Sequence, residues 1–258
     1  VMRRVKSYGK AFYIMDIPNY NSSGKRLFIN DVAQPDVQKT YEKLTGRGLD
    51  NNFTATYFPD VFITDETNNQ IVGVPSSIAA MGAIAFNDEN KNVWFAPAGF
   101  GRGSLGFVNN VKVRLNQSDR DNLYLNRVNP IATFPGEGYV IFGQKTLQLR
   151  KSALDRVNVR RMLLEVKRIV TGIAQKLVFE PNNSQTRARF VATVVPELSN
   201  IQMNEGIEQF KVICDSTNNT SSDVIQNKMN GKIVLVPTRA IEFISIDFII
   251  TNGNVEFV

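Results

Sequence analysis

Histidine is absent from this sequence of 258 residues, and cysteine occurs once, as Cys214. Without histidine the chain lacks the commonest general base, the commonest metal ligand and the usual partner of a catalytic serine or cysteine. A single cysteine excludes an intrachain disulfide bond. No run of 18 apolar residues occurs, so the sequence predicts no membrane insertion. These absences make catalysis less expected. We also predict that the chain binds no metal and no cofactor.

Basic runs longer than two residues are also missing, although the chain carries a net charge of +6 and has a pI near 9.4. Such a charge favours an anionic partner, which could be a nucleic acid, an anionic membrane or an acidic protein surface. The missing polybasic runs weaken the first two of these. We therefore predict no specific nucleic-acid partner and keep a basic nucleic-acid-binding module as an alternative.

Two glycine-containing stretches resemble nucleotide-binding motifs only in part. Gly101, Gly103 and Gly106 have the spacing of a dinucleotide fingerprint, but that motif needs a strand before it and a helix after it, and neither is predicted here. Residues 143–146 (G-Q-K-T) lack the adjacent Gly-Lys pair of a phosphate-binding loop. We predict a surface loop and a turn with a solvated Lys145. A nucleotide-dependent α/β enzyme remains an alternative.

The remaining candidate catalytic groups are carboxylates and the single thiol. Asp16, Asp60 and Asp65 lie at or near predicted strand ends, where two carboxylates could act as an acid and a base. Aspartates at such positions usually cap turns, and no metal-ligand spacing accompanies them. Cys214 lies in a predicted strand and has no activating histidine, which favours a buried structural thiol. We predict that the chain is not an enzyme.

Apolar residues make up 43% of the chain, which is enough for a substantial core. The pattern predicts strand–helix alternation in the first part and therefore a mostly parallel α/β layer. The elements predicted there are strands at 11–17, 55–64, 93–95 and 107–115, with helices at 35–44, 75–86 and 119–127, the last capped by Ser118. Pro59 predicts a bulge or an edge within the second strand.

The second part of the chain predicts a different architecture, with two long helices and a mixed sheet. The strongest helix, at 159–178, has apolar residues at the 3.6-residue period. Other predicted elements are strands at 131–134, 139–142, 210–214, 232–236 and 242–250, with a helix at 184–198 that Pro196 kinks or ends. We expect an α/β (α+β mixed) fold with an α/β domain at residues 1–110 and a C-terminal α+β domain at residues 111–258.

The sequence of residues 129–164 resembles that of the contractile-tail sheath proteins of bacteriophages. Family motifs of the form N-P-I-x-x-F-P-G-E-G, G-x-K-T and N-V-R-R-L match residues 129–138, 143–146 and 158–163, with Met162 where the family often has leucine. Further collinear matches occur at 11–18, 57–65, 74–85, 93–99, 179–186, 210–220 and 237–248. The chain begins at Val1, and the family's N-terminal arm and outer domains have no counterpart. We therefore expect a core fragment.

The resemblance implies a structural role without catalysis. Sheath subunits polymerise around a tail tube and collapse to a shorter, wider helix, which drives the tube through the host envelope. The implied partners are copies of the chain itself, the tail tube protein, and baseplate and tail terminator proteins. The implied location is the phage tail of the virion, after assembly in the host cytoplasm. Mechanically this is a bistable assembly of rigid bodies joined by flexible arms.

Two sets of residues are candidates for contacts in such an assembly. The basic residues on the strongest helix could contact an acidic tube, or they could form a solvated face; the candidates are Arg160, Arg161, Arg168 and Lys176. The C-terminal segment could fold back as a hairpin at Asn252-Gly253, or it could supply an intersubunit strand. We favour the strand, and its candidate residues are Asn254, Val255, Glu256, Phe257 and Val258.

Overall fold

The computed structural model of the chain describes residues 1–242, so all but the first residue of the predicted strand at 242–250, and the candidates at 254–258, lie outside the described residues. The first part comprises α1 (Met2–Tyr8), β1 (Tyr13–Met15), β2 (Asn19–Tyr20), β3 (Arg26–Leu27), α2 (Val37–Thr45), β4 (Thr54–Phe58), β5 (Val61–Asp65), β6 (Gln70–Val74) and α3 (Ser76–Asn90). The middle comprises β7 (Val108–Val111), α4 (Gln117–Leu125), β8 (Asn129–Phe134) and β9 (Gly138–Ile141). The last part comprises a 3₁₀ turn (Ala153–Asp155), α5 (Val157–Gln175), α6 (Ser184–Met203), β10 (Ile207–Ile213), α7 (Ser221–Ile225) and β11 (Lys232–Pro237).

A four-stranded sheet in the order β1-β4-β8-β9 forms the centre of the body. Its first three strands are parallel and β9 is antiparallel to β8, so the sheet is mixed. All five residues of β4 are buried, because helices cover both faces. Ala55 and Tyr57 contribute to the core on the α3 side, whereas Phe58 points to the core that α2 and α4 complete. The α/β fold class is confirmed.

The small residues of α3 allow it to lie close to this sheet. Ala79, Ala80 and Ala83 are almost completely buried against the core. Gly82 leaves room for Phe107, whose ring would stand 2.8 Å from an added Cβ. The sequence predicted a small-residue helix that packs on a sheet, and the structure confirms it with four more residues at its C-terminal end.

The predicted single strand at 55–64 is wrong, because the chain turns at Pro59 and Asp60. β4 stays in the central sheet, whereas β5 pairs with β6 and β7 in an antiparallel three-stranded sheet. Proline cannot donate to a ladder, which ends the first strand. The Asp60 carboxylate then fixes the corner, since it accepts hydrogen bonds from Asn19 Nδ2 (2.6 Å) and from the Ser76 backbone N–H (3.2 Å).

The C-terminal layer consists of α5 and α6 packed against the two-stranded antiparallel sheet β10–β11. Of the two alternatives predicted at Pro196, a kink or an end, the end is wrong, because α6 continues to Met203. Burial of Leu198 and Ile201 beyond the proline offsets the backbone hydrogen bond that proline removes. The boundary at residue 110 stays a prediction, and the central sheet takes strands from both sides of it.

Two smaller predictions are corrected by local contacts. α4 begins two residues earlier than expected, because Asn116 rather than Ser118 is the N-cap and accepts a hydrogen bond from the Asp119 backbone N–H at 2.8 Å. Residues 93–95 form a turn instead of a strand. In that turn Trp94 donates from Nε1 to the Asn204 carbonyl at 2.7 Å and so connects the first part of the chain to the C-terminal layer.

Candidate assembly surfaces

Helix α5 has two dissimilar halves. Its first half is buried on most sides, and the residues concerned are Val157, Asn158, Val159, Arg160, Met162 and Val166. Its second half, residues 167–175, has no fully buried residue. The difference follows from position: the first half lies between the central body and α6, whereas the apolar residues of the second half pack on α6 and the β10–β11 layer and Lys167 contacts the N-terminal segment at Gly9.

Arg160 belongs to the core, so the expectation that it lies on a solvated face is wrong. Only 6% of its surface is exposed, its guanidinium lies over the Phe53 ring at 4.0 Å, and it donates to Asn52 Oδ1 at 2.5 Å. Burial lowers the pKa of Arg160 to about 10, which leaves it charged at neutral pH. One helical turn separates it from the buried Val157, which places both on the same face.

Arg161 is committed to an intramolecular ion pair. It pairs with Asp88 near the end of α3, and only 12% of its side chain is exposed. It also donates to the Val93 carbonyl at 3.4 Å. Arg161 therefore fastens α5 to the end of α3, and the predicted cluster of four basic residues divides into two internal and two external members.

The two external members, Arg168 and Lys176, are exposed. Arg168 pairs with Glu165 one turn earlier, with Nε at 2.8 Å from Glu165 Oε2. The fold places Lys10 beside Lys167 and Arg168, and the three line a cleft of about 520 Å³, in which Lys167 Nζ donates to the Gly9 carbonyl at 3.2 Å. We call Lys10, Lys167, Arg168 and Lys176 the basic surface. Sequence analysis missed Lys10, because only the fold places it beside α5.

A polar cluster fixes the last described residue to the body. The Glu242 carboxylate accepts hydrogen bonds from Arg156 Nε (2.6 Å) and Nη2 (2.8 Å), from the Tyr124 hydroxyl (2.8 Å) and from Gln144 Nε2 (3.3 Å). We call these four residues the Glu242 clamp. Burial, and then the nearby Glu242 charge, raise the pKa of the Tyr124 hydroxyl, so it remains a donor at neutral pH. The clamp sets the point on the body from which residues 243–258 continue.

The β10–β11 sheet offers free edges within the described part of the chain. Each of the two strands pairs only with the other among residues 1–242. Phe210 and Leu235 face the core, whereas Val234 and Val236 on the opposite face are 48% and 44% exposed. Unpaired strand edges beside exposed valines are a template for another strand.

The glycine-containing loops have structural roles in the fold. Gly103 lies so close to β9 that an added Cβ would stand 2.6 Å from the Ile141 carbonyl oxygen, and Ile141 donates its N–H to the Gly103 carbonyl at 2.8 Å. The expected solvated Lys145 is wrong, because its Nζ lies 4.0 Å from the centre of the Tyr124 ring and donates to the Tyr124 carbonyl at 2.9 Å. These contacts connect the first stretch to β9 of the central sheet and the second stretch to α4.

Of the three aspartates, only Asp65 caps a local turn, whereas Asp16 and Asp60 accept hydrogen bonds from residues at the start of α3. Asp16 accepts from the Ser77 backbone N–H (3.1 Å) and hydroxyl (2.9 Å) at the start of α3, and Asp65 accepts from the Thr67 backbone N–H at 3.0 Å. Cys214 is buried, and burial raises the pKa of its thiol. Residues 1–242 contain no group of three or more side chains suited to hold a metal ion. No described helix is long and apolar enough to cross a membrane.

Comparison with known proteins identifies the class to which this fold belongs. The sheath complex of an extracellular contractile injection system (PVC), solved in its contracted state, matches 93% of this chain and 64% of that chain. The TM-score is 0.76 and the sequence identity 24%. The arrangement of sheets and helices described above is therefore the fold of a contractile sheath subunit.

Sequence relatives identify the family. The tail sheath protein of Vibrio phage KVP40 is 34% identical over 209 residues, which are 81% of this chain and 30% of the relative. That of Enterobacteria phage T4 is 32% identical over 218 residues, which are 82% of this chain and 33% of the relative. Residues 150–251 match the phage tail sheath C-terminal domain family. The chain belongs to the phage tail sheath family, and it spans about a third of the length of these relatives.

Proposed function

We propose that this chain is part of the structural subunit of a contractile phage tail sheath. Such a subunit polymerises with copies of itself around the tail tube, connects to baseplate and tail terminator proteins, and contracts to drive the tube through the host envelope. The observation that carries this proposal is the collinear similarity of four fifths of the chain to tail sheath proteins. The subunit would act in the phage tail of the virion after assembly in the host cytoplasm.

Two features of the described residues support an assembly role. The β10–β11 sheet presents edges that a strand from a neighbouring copy could extend, which would preserve connectivity while the bodies rotate. The Glu242 clamp fixes the adjoining segment to the body, so a pull on that segment would be transmitted to α4 and α5. We propose that residues 254–258 supply or extend the intersubunit strand.

A deletion of residues 252–258 tests this arm. The truncated chain should fold with a nearly unchanged melting temperature, whereas the sheath protein that contains the truncation should no longer polymerise, as judged by negative-stain electron microscopy. Normal contractile tubes from the truncated protein would rule out the arm and leave a simple hairpin.

We further propose that the basic surface contacts the tail tube. Its cations are exposed, and the chain as a whole is positively charged, so an acidic tube surface would be attracted to it. Arg160 and Arg161 are not part of this contact, because one is buried and the other is paired with Asp88. The tube-contact candidates are thereby reduced to Arg168 and Lys176, joined by Lys10 and Lys167.

A double charge reversal measures this contact. Arg168→Glu with Lys176→Glu should weaken co-sedimentation with preassembled tail tubes, and the loss should be largest at low salt, where exposed charges are least screened. Lys25→Glu with Lys43→Glu is the matched control, because it makes the same change in net charge at exposed positions in the first part of the chain. Equal binding by both variants at every salt concentration would show that α5 presents only a solvated face.

A further inference from the structure

The turn between α5 and α6 exposes large apolar side chains to solvent. Phe179 is fully exposed, with a relative exposure of 102%, and the preceding Val178 is 57% exposed. A phenylalanine gains most from burial, so its complete exposure at the tip of a helical hairpin is unfavourable for an isolated chain. Clustered exposed apolar residues of this kind mark interaction sites.

The backbone at Phe179 makes the choice of residue more unusual. Its φ of 72° lies in the left-handed region, which glycine and asparagine adopt at lower cost. Phenylalanine is therefore unfavourable here for both its backbone conformation and its exposure. Phenylalanine at this position therefore destabilises the folded chain in two ways, which indicates that it serves binding rather than folding.

The turn is nevertheless well fixed. The Glu180 N–H donates to the Leu177 carbonyl at 3.1 Å, and Asn183 Oδ1 accepts from the Thr186 backbone N–H at 2.9 Å to cap α6. Asn182 Nδ2 donates to the Lys228 carbonyl at 2.7 Å, which ties the turn to the segment after α7. The Phe179 ring is thus presented on a fixed backbone, and a partner that binds it avoids most of the entropy cost of ordering a loop.

The charge beside the ring indicates the chemistry of the partner. Glu180 is already neutralised by Arg189, at 2.8 Å between Oε2 and Nη2. Lys176 forms no ion pair with any carboxylate of residues 1–242. The uncompensated charge next to Phe179 is therefore positive, and it fits an apolar pocket with an acidic rim.

We propose that Phe179 is the apolar anchor of the tube contact, inserting into a pocket with an acidic rim on the tail tube protein while Lys176 steers the approach. The inference rests on the proposed function of the basic surface and deepens it. The two side chains contribute differently: the cation acts over a distance and is screened by salt, whereas the ring acts only on contact and is not. A central aromatic anchor within a ring of polar contacts is the usual form of an interface hot spot.

The experiment is co-sedimentation of this chain with preassembled tail tubes at low and high salt. Phe179→Asn removes the ring and suits the left-handed backbone, so the fold should be intact, and binding should weaken about tenfold or more at both salt concentrations. Lys176→Glu should weaken binding at low salt and approach the parent chain at high salt. Phe28→Asn, at another exposed phenylalanine (66%), is the matched control and should bind as the parent does.

The outcomes separate the two proposals. If Lys176→Glu weakens binding and Phe179→Asn does not, the anchor is refuted while the electrostatic contact stands. If neither variant differs from the parent, the tube contact itself is refuted. Equal losses for Phe179→Asn and Phe28→Asn would also overturn the anchor, since they would show a general dependence on exposed phenylalanine.

Discussion

Arg160 and Arg168 lie two turns apart on α5, and their environments are opposite. Arg160 is enclosed, with its guanidinium over Phe53, whereas Arg168 extends into solvent and, among residues 1–242, forms an ion pair only with Glu165 of its own helix. The first half of the helix is thus a structural element of the body, and the second half is a surface. A basic cluster in a sequence can therefore combine a cation that packs inside the body with cations that lie on its surface.

The largest effect should come from reversing the charge of the internal cation. Arg160→Glu would place a buried carboxylate against Phe53 and Asn52, and the free energy of unfolding should fall by on the order of 3–5 kcal/mol. Arg168→Glu is the matched control and should leave the urea midpoint unchanged. Similar midpoints for the two variants would mean that the two halves of α5 do not differ as described.

A smaller loss should follow from releasing the Glu242 clamp, which lies at the start of the internal half. Glu242→Ala leaves Arg156 and Tyr124 without their carboxylate acceptor, at a cost of about 2 kcal/mol in the free energy of unfolding. Glu242→Gln keeps an acceptor and should lose less. Urea denaturation measures both variants. An unchanged midpoint for Glu242→Ala would show that the clamp does not hold the segment to the body.

Trp94 tests the connection between the first part of the chain and the C-terminal layer. Trp94→Phe keeps an aromatic ring beside Gly206 but removes the hydrogen bond to the Asn204 carbonyl, and stability should fall by about 1 kcal/mol. Thermal denaturation is the measurement. An equal melting temperature for Trp94→Phe and the parent chain would show that this hydrogen bond does not stabilise the connection to the C-terminal layer.

The smallest change in stability is expected at the tip of the external half. Phe179→Asn removes an exposed ring and relieves the left-handed backbone, so the melting temperature should stay the same or rise slightly. A clear fall in melting temperature would show that Phe179 stabilises the fold, and its exposure would then need another explanation.

Much of the fold could be predicted from local sequence patterns. The small residues of α3 and the 3.6-residue period of α5 located both helices, because these patterns report directly on one-sided burial. Pro59 predicted a bulge or an edge, but the change of sheet was missed because apolar residues continue on both sides of Pro59 and Asp60. The course of α6 past Pro196 was missed because the compensating burial of Leu198 and Ile201 is tertiary.

The candidate surfaces were harder to predict. Arg168 and Lys176 were selected correctly as exposed residues, but a charged side chain in a sequence carries no sign of what covers it, as Arg160 shows. The spacing of Arg160 from Val157, one helical turn, indicated a buried position. Its charge was given more weight, and exposure was expected instead. Lys10 could not have been found, because it is separated from Arg168 by most of the chain. Phe179 lies in a segment noted only for its family resemblance.

The central claim is that the external half of α5 faces the tail tube while the internal half stays within the body. A cryo-electron microscopy structure of the assembled sheath on its tube tests this most directly. We expect Arg168, Lys176 and Phe179 to contact tube residues, with carboxylates within about 4 Å of the cations, and Arg160 to remain on Phe53. A structure in which the external half of α5 points away from the tube would contradict it.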